Sequence, residues 1–163
     1  MIKFHIANKI EDFQVIEILA DTIWREHYIP IVGKPQIDYM LDKFQSVKAM
    51  KEQVANGYEY YTVFHQELPV GYMAIKPEKE HLFLSKIYVL SHYRGKGIGK
   101  RMMDFIEKKA KNHQLNKIFL TVNKYNTNSI KAYEKIGFKH DRELVQDIGN
   151  GFVMDDYVMI KLV

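Results

Sequence analysis

The stretch YRGKGIGKRMMDF, residues 93–105, is the part of the sequence that decides the fold. It carries three glycines at alternate positions, Gly95, Gly97 and Gly99, directly before an apolar helical pattern. Glycine loses more backbone freedom on folding than any other residue, so three of them are unfavourable in a regular helix or strand. The chain must therefore need bare backbone at this position.

The surroundings of these glycines indicate a phosphate-binding loop. An apolar strand pattern, HLFLSKIYVL at residues 81–90, runs into the glycines, and a helical pattern follows them. The first N–H groups of a helix have no intrahelical acceptor, and the helix dipole favours an anion there. Four basic residues add positive charge at the same place: Arg94, Lys96, Lys100 and Arg101.

The spacing excludes the two most familiar phosphate motifs. A dinucleotide-binding G-x-G-x-x-G fails because Lys100 stands at its last glycine. A P-loop G-x-x-x-x-G-K-[ST] fails because Arg94 stands at its first glycine and Arg101 at its hydroxyl residue. The pattern that remains is R-x-x-G-x-G, from Arg94 to Gly99.

Composition narrows the class of protein further. The chain of 163 residues is expected to form a single domain, residues 1–163. It has no cysteine, and its seven histidines never lie within five residues of one another, so no metal site is expected. Neither a leader-like apolar segment nor a membrane-length apolar run is present, which favours a cytoplasmic protein without a membrane partner. The net charge of +4 is dispersed, with no basic run longer than two residues, so no nucleic-acid partner is expected.

Periodicity predicts an α/β fold. The order is a strand, two or three helices, three strands, a helix, a strand, a helix and two final strands. We expect Asn8 and Glu11 to cap the first helix, and Pro30, Gly33 and Pro35 to break it. A turn at residues 67–69 is expected to form a hairpin. The strand–helix–strand around Gly97 implies a parallel crossover. The predicted fold is a mixed central sheet of about seven strands with helices on both faces.

A second motif identifies the family that this chain resembles. NTNSIKAYEKIGF matches N-x-x-[AS]-x-x-x-Y-x-x-x-G-F at Asn126, Ser129, Tyr133, Gly137 and Phe138. Together with the R-x-x-G-x-G loop about thirty residues earlier, it resembles the GNAT N-acetyltransferases. The resemblance covers residues 58–163, and some features are similar to the spermidine and diamine acetyltransferase branch.

The resemblance implies that acetyl-CoA, and no metal, serves the reaction. Acetyl-CoA would lie in a cleft where the strand before the glycines splays from the strand that starts at Lys117, with its pyrophosphate on the glycine-rich backbone. The residues to which the resemblance assigns cofactor binding are Ile87, Tyr88, Val89, Arg94, Gly95, Lys96, Gly97, Ile98, Gly99, Lys100, Asn126 and Ser129. For Asn126, helix capping is the alternative role.

By the same resemblance, Tyr133 is the general acid that protonates the leaving thiolate, with core packing as the alternative. A cysteine-acyl intermediate is excluded, so the amine attacks the thioester directly. The general base stays open, because Ser85 stands where relatives often carry a glutamate. One candidate for the base is a water molecule relayed through Ser85. The other candidates are the side chains of Glu80, His27, Asp155 and Asp156.

The acceptor is the least determined part of the reaction. Trp24, His27, Tyr28 and Tyr39 are candidate acceptor residues, and aromatic core packing is their alternative role. A small aliphatic amine or polyamine is the first expectation for the acceptor. A protein N-terminus or lysine, an aminoglycoside, and a CoA-binding module without turnover are the alternatives. Family members are often dimers, which leaves a homodimer open.

Overall fold

The computed structural model describes all residues from Met1 to Val163. Its seven strands form one open mixed sheet in the order β1-β2-β3-β4-β5-β7-β6. The elements are β1 Ile2–Ile6, α1 Ile10–Val32, α2 Lys34–Gln45, α3 Val47–Ala55, β2 Glu59–His65, β3 Leu68–Pro77, β4 Leu82–Val89, α4 Ile98–Asn112, β5 Lys117–Asn123, α5 Thr127–Lys135, β6 Lys139–Gly149 and β7 Phe152–Leu162. The predicted fold class is confirmed.

The chain forms two compact units. The first unit contains Met1–Lys76 and Ser85–Ile106, and the second contains Pro77–Leu84 and Glu107–Val163. Each is described below by itself.

In the first unit, β1, β2 and β3 pair antiparallel. The hairpin between β2 and β3 turns at Gln66 and Glu67, which have φ of 51° and 69°. The turn predicted at residues 67–69 was therefore one residue late, because two left-handed residues close the hairpin and Leu68 already belongs to β3.

Helices cover both faces of the sheet in the first unit. Side chains alternate between the faces of a strand. On one face, the rings of Phe4 and Tyr61 contact Phe105 of α4, with ring centroids 4.7 and 5.0 Å apart. On the other face, the buried Tyr60 and Tyr72 are both hydrogen-bonded to Gln45 at the end of α2.

Helix α1 differs from the prediction at its start and at Pro30, whereas the predicted breaker Gly33 does end it. Pro30 lies inside the helix, which continues to Val32 and ends at Gly33 with φ +88°. Near the end of a helix a proline removes one hydrogen bond and leaves little of the helix beyond it to disturb. At the start, Asp12 and not Glu11 caps the helix, since its Oδ2 accepts N–H bonds from Asn8 and Lys9, each 3.0 Å long.

In the second unit, β4 and β5 pair parallel at Leu82 with Ile118 and at Phe83 with Phe119. β5 and β6 flank β7, and both pair with it antiparallel. The inward residues of β5 are all buried, as its alternating sequence KIFLTVN predicts.

Candidate active site

The glycine loop, residues 94–100, joins β4 to α4 in the first unit. Gly95 and Gly97 have φ of +74° and +80°, a conformation that side-chain-bearing residues rarely adopt. The first helical hydrogen bond of α4 runs from Arg101 N–H to Gly97 O, 3.2 Å. The six backbone N–H groups from Gly95 to Lys100 donate to no other backbone group of the chain. The loop is thus a row of free donors at a helix N-terminus, which is suited to an anion.

Gly99 is a glycine that the fold itself does not require. It lies in the first turn of α4 without a positive φ, and a Cβ built on it meets no atom within 4 Å. A glycine inside a helix destabilises it by about 0.8–1.0 kcal/mol relative to alanine. The empty space at Gly99 is therefore room that a side chain would fill and that a bound group can use.

The basic residues of the loop are exposed, with one anchored to the preceding strand. Arg94 Nε donates to Val89 O at 3.1 Å. Lys96 Nζ lies 5.6 Å from the ring centroid of Tyr93. Ile98 is the exception in the loop, because it is buried and fixes the start of α4 in the core.

The end of β4 lies unusually close to β3. A Cβ built on Gly71 would lie 2.3 Å from Tyr88 O and 3.2 Å from Val89 Cα. One residue further along β4, Leu90 N–H donates to Val70 O at 2.8 Å. Only a glycine fits at position 71, a constraint that the sequence prediction missed although a lone glycine inside a strand is a signal of close backbone approach.

The aromatic candidates on α1 pack against Tyr88. Trp24 is 2% exposed, and its ring centroid lies 5.8 Å from Tyr28 and 5.9 Å from Tyr88. The hydroxyls of Tyr28 and Tyr88 are hydrogen-bonded at 2.9 Å. His27 is half-buried, with its ring edge-on to Tyr28 at 4.8 Å. Trp24 thus lies in the core, while His27, Tyr28 and Tyr88 are partly accessible.

A buried polar chain lies behind Tyr88. Tyr72 packs against Tyr88, with ring centroids 5.4 Å apart, and donates to Gln45 Oε1 at 2.6 Å. Gln45 Nε2 donates to Tyr60, which in turn donates to Gln53 Oε1. Burial is the main cause that raises the pKa of Tyr72 above its ordinary value, so its hydroxyl stays protonated. The fourth candidate, Tyr39, is half-buried on α2 and accepts a hydrogen bond from Lys43.

In the second unit, Asn126 is a buried residue whose side-chain amide forms no hydrogen bond within the protein. It occupies the N-cap position of α5 and is 5% exposed, yet its side chain caps no helical N–H. Its backbone makes the local bonds, from its N–H to Asn123 O and from Ile130 N–H to its carbonyl. Ser129, also on the first turn, is partly exposed. The capping alternative for Asn126 therefore has no hydrogen bond to support it.

Tyr133 is held by the turn that ends α5. Gly137 has φ +106° and reverses the chain, so that Phe138 N–H donates to Tyr133 O at 3.0 Å. The buried Phe138 ring then packs edge-on to the Tyr133 ring, with centroids 5.7 Å apart. Tyr133 itself stays partly exposed. The Y-x-x-x-G-F spacing thus has a physical reason, which is that the turn clamps the tyrosine ring.

A family model gives the identification. Residues 18–138 match the model described as Acetyltransferase (GNAT) family. The chain belongs to the GNAT acetyltransferase family. The match includes both the glycine loop and the Asn126–Phe138 motif.

This chain is similar in sequence to curated N-acetyltransferases and in fold to solved N-acetyltransferase structures. The spermine/spermidine N(1)-acetyltransferase of Bacillus subtilis is 30% identical over 64 residues, 39% of this chain and 42% of that protein. The matched segments span less than half the length of the first curated relatives, 42 to 45%. The PaiA N-acetyltransferase of Thermoplasma acidophilum, solved with coenzyme A, has a TM-score of 0.84 at 21% identity over 100% of this chain and 99% of its own. A GNAT acetyltransferase of Elizabethkingia anophelis with acetyl-CoA bound has a TM-score of 0.63 at 16% identity, over 99% of this chain and 98% of its own.

The candidates for the general base of a GNAT reaction differ in their surroundings. Ser85 Oγ accepts a hydrogen bond from Lys86 Nζ at 2.8 Å, and Glu80 is exposed. Asp155 is paired with Lys124 at 2.9 Å, whereas Asp156 is only 2% exposed. Hydrogen bonds to Glu143 and Asp155 raise the pKa of Lys124, so this cation persists beside Asp155.

The chain has neither a metal-binding cluster of side chains nor a membrane-length apolar helix. No group of three or more histidine, aspartate or glutamate side chains is arranged to hold a metal ion. No helix is both long enough and apolar enough to cross a membrane.

Proposed function

We propose that this GNAT chain transfers the acetyl group of acetyl-CoA directly to a primary amine, with a small aliphatic amine or polyamine as the acceptor. The observation that carries the proposal is the glycine loop, with its six free N–H donors and the open space at Gly99. Both features fit the pyrophosphate of CoA, which brings two negative phosphates against bare backbone. The solved relatives with CoA and acetyl-CoA support the same cofactor.

Asn126, at the start of α5, is a further proposed cofactor-binding residue. Its side chain makes no capping bond to the helix, so the amide oxygen and nitrogen are available to a ligand. An amide of CoA supplies both a donor and an acceptor, so a side chain such as that of Asn126 fits it. Ser129 offers a hydroxyl on the same helical turn.

The reaction needs a general base, a hydrogen-bond donor to the oxyanion and a general acid. One of the candidate bases named above takes a proton from the ammonium. The amine nitrogen then forms a bond to the thioester carbon, and the carbonyl π electrons move onto the oxygen, which becomes an oxyanion. A backbone N–H at Val89 serves this oxyanion. The C–S bond then breaks, and Tyr133 gives its proton to the departing CoA thiolate.

The acceptor class rests on relatives and on the aromatic cluster. A spermine/spermidine N(1)-acetyltransferase is among the curated relatives, at 30% identity over 64 residues. Tyr28 and Tyr88 offer partly accessible rings and hydroxyl oxygens, which attract an alkylammonium ion through the ring face and through lone pairs. These groups fit an amine on an aliphatic chain.

The test is a transfer assay with the purified chain. Acetyl-CoA is incubated with spermine, spermidine, putrescine, and peptides with a free N-terminus or a lysine, and the release of free thiol is followed. We expect turnover with the aliphatic amines. Binding of CoA without thiol release for any acceptor would support the binding module instead, and turnover with peptides alone would contradict the acceptor class.

A further inference from the structure

The contact between Gly71 and Tyr88 has a consequence for the peptide unit that joins Tyr88 to Val89. The Tyr88 carbonyl oxygen occupies the space that a side chain at position 71 would fill, 2.3 Å from an ideal Cβ. All peptide bonds in the chain are trans. In a trans peptide the C=O and the following N–H point in opposite directions. A Tyr88 carbonyl directed to β3 therefore directs the Val89 N–H away from β3.

Two neighbouring hydrogen bonds fix the same orientation. Leu90 N–H is directed to β3, where it donates to Val70 O at 2.8 Å. The Val89 carbonyl is directed to the other edge of β4 and accepts from Arg94 Nε at 3.1 Å. Backbone groups alternate in this way along a strand. The Val89 N–H thus shares an edge with a carbonyl that the glycine loop holds.

The space at Gly71 is a property of that residue alone. Its partner on β2 is Val63, and the neighbours on β3, Val70 and Tyr72, carry large buried side chains. A lone glycine weakens a strand, because it packs no side chain and has more freedom to lose. In β3 the glycine stands at the position where Tyr88 O lies against the strand.

We propose that Gly71 is a positioning residue for acetyl transfer, because its missing side chain admits the Tyr88 carbonyl and so aims the Val89 N–H at the thioester oxygen. The inference rests on the proposed function, in which that N–H serves the oxyanion. Gly71 touches neither cofactor nor acceptor in this role. It acts through the backbone of β4.

The test is Gly71→Ala, with Ile75→Val as the matched control. Ile75 is fully buried on the same strand, so its truncation lowers stability without adding an atom beside Tyr88 O. In Gly71→Ala, a methyl group displaces Tyr88 O, and we expect kcat to fall about 10²-fold, as is typical of an ångström-scale misplacement. CoA affinity should stay at the wild-type value because the glycine loop is unchanged, and the Val89 amide resonance should move in the apo protein. Ile75→Val should keep both kcat and that resonance.

The outcomes separate this inference from the proposed function. Wild-type protein that binds CoA but acetylates no amine would remove the proposed function before any variant is made. Active wild-type protein with an unchanged kcat in Gly71→Ala would overturn only the positioning role. A Gly71→Ala chain that no longer unfolds cooperatively would also overturn it, since the glycine would then be a requirement of strand pairing and not of the reaction.

Discussion

The hydroxyl of Tyr28 on α1 lies 2.9 Å from the hydroxyl of Tyr88 on β4. This hydrogen bond joins a candidate acceptor residue to the strand segment, Ile87 to Val89, that is proposed to serve the thioester. Both rings are partly exposed, and their centroids lie 6.2 Å apart. The pair is therefore placed to contact an amine that approaches this segment from the side of α1.

The first prediction concerns this hydroxyl pair. Tyr28→Phe and Tyr88→Phe should each raise the KM for the amine and leave acetyl-CoA affinity unchanged, because only a hydroxyl is lost. Each change should weaken binding of the acceptor amine by about 1 kcal/mol, the usual net value of one hydrogen bond. The double variant should lose less than the sum, since either change breaks the same bond. Steady-state kinetics with the preferred amine measures all three.

Tyr72→Phe is the control for this prediction. It removes a hydroxyl whose ring also packs against Tyr88, but which is bonded to the buried Gln45. It should lower the melting temperature and leave the amine KM unchanged. An amine KM that rises as much in Tyr72→Phe as in Tyr28→Phe would mean that the pair acts only through packing.

The second prediction uses Gly99 to separate stability from binding. Gly99→Ala should raise the free energy of unfolding by about 0.8–1.0 kcal/mol, because alanine favours the helix and its Cβ meets no atom. The same methyl group should weaken CoA by about tenfold, equivalent to about 1.4 kcal/mol. Gly97→Ala should instead lower stability, because φ there is +80°. Denaturant unfolding and calorimetric CoA titration measure the two effects, and a more stable Gly99→Ala variant with wild-type affinity would refute the loop as the phosphate site.

The third prediction concerns Asn126. Asn126→Ala should weaken CoA but change the free energy of unfolding little, because the side chain makes no capping bond. Asn128→Ala is the matched control, since Asn128 lies exposed on the same turn and should keep wild-type CoA affinity. A loss of about 1 kcal/mol in stability with unchanged affinity would favour the capping role.

Much of the fold could be predicted, because its signals are local. The order of helices and strands follows from side-chain periodicity, and the glycine loop from a spacing that no regular element tolerates. The two sequence motifs, the glycine loop and the Asn126–Phe138 block, indicated the family. In the second block, the turn at Gly137 that brings Phe138 against the Tyr133 ring explains part of the spacing physically.

What could not be predicted depends on contacts between distant segments. Nothing in the sequence near Gly71 shows that Tyr88 O would lie against it, since the two residues meet only through strand pairing. The Tyr28–Tyr88 bond likewise spans 60 residues. Periodicity placed Trp24 and Tyr28 on one helix, but it did not distinguish the buried ring from the partly accessible one. The capping error at Glu11 was local, because two adjacent carboxylates compete for the same N–H groups and geometry selects Asp12.

The fourth prediction concerns the pH dependence of stability at Asp12. Partial burial raises the pKa of this carboxyl, but the N–H bonds from Asn8 and Lys9 and the nearby His5 together outweigh it and hold the pKa below its ordinary value. A lowered folded pKa contributes stability above the unfolded pKa of about 3.9 that is lost as the pH falls through the folded pKa. Asp12→Asn should therefore cost about 1 kcal/mol near neutral pH and progressively less below about pH 4. Asp42→Asn, an exposed change on α2, is the control and should lower the free energy of unfolding little at either pH. If the free energy of unfolding varied with pH in the same way for both variants, the prediction would be contradicted.

The last prediction is that Tyr133 is the general acid. Tyr133→Phe keeps the ring that packs against Phe138 and the backbone bonds of the α5 turn, so stability and CoA affinity should stay unchanged. It removes the hydroxyl that donates the proton, and kcat should fall about 10²-fold, the lower end for general acid catalysis, because a thiolate leaves partly without help. The loss should appear in kcat and not in the amine KM, since the bond strengthens as charge develops on sulfur. Tyr125→Phe, which removes an exposed hydroxyl at 70% exposure in the same unit, should keep full activity. A Tyr133→Phe variant with wild-type kcat, measured where chemistry limits turnover, would show that this tyrosine only packs.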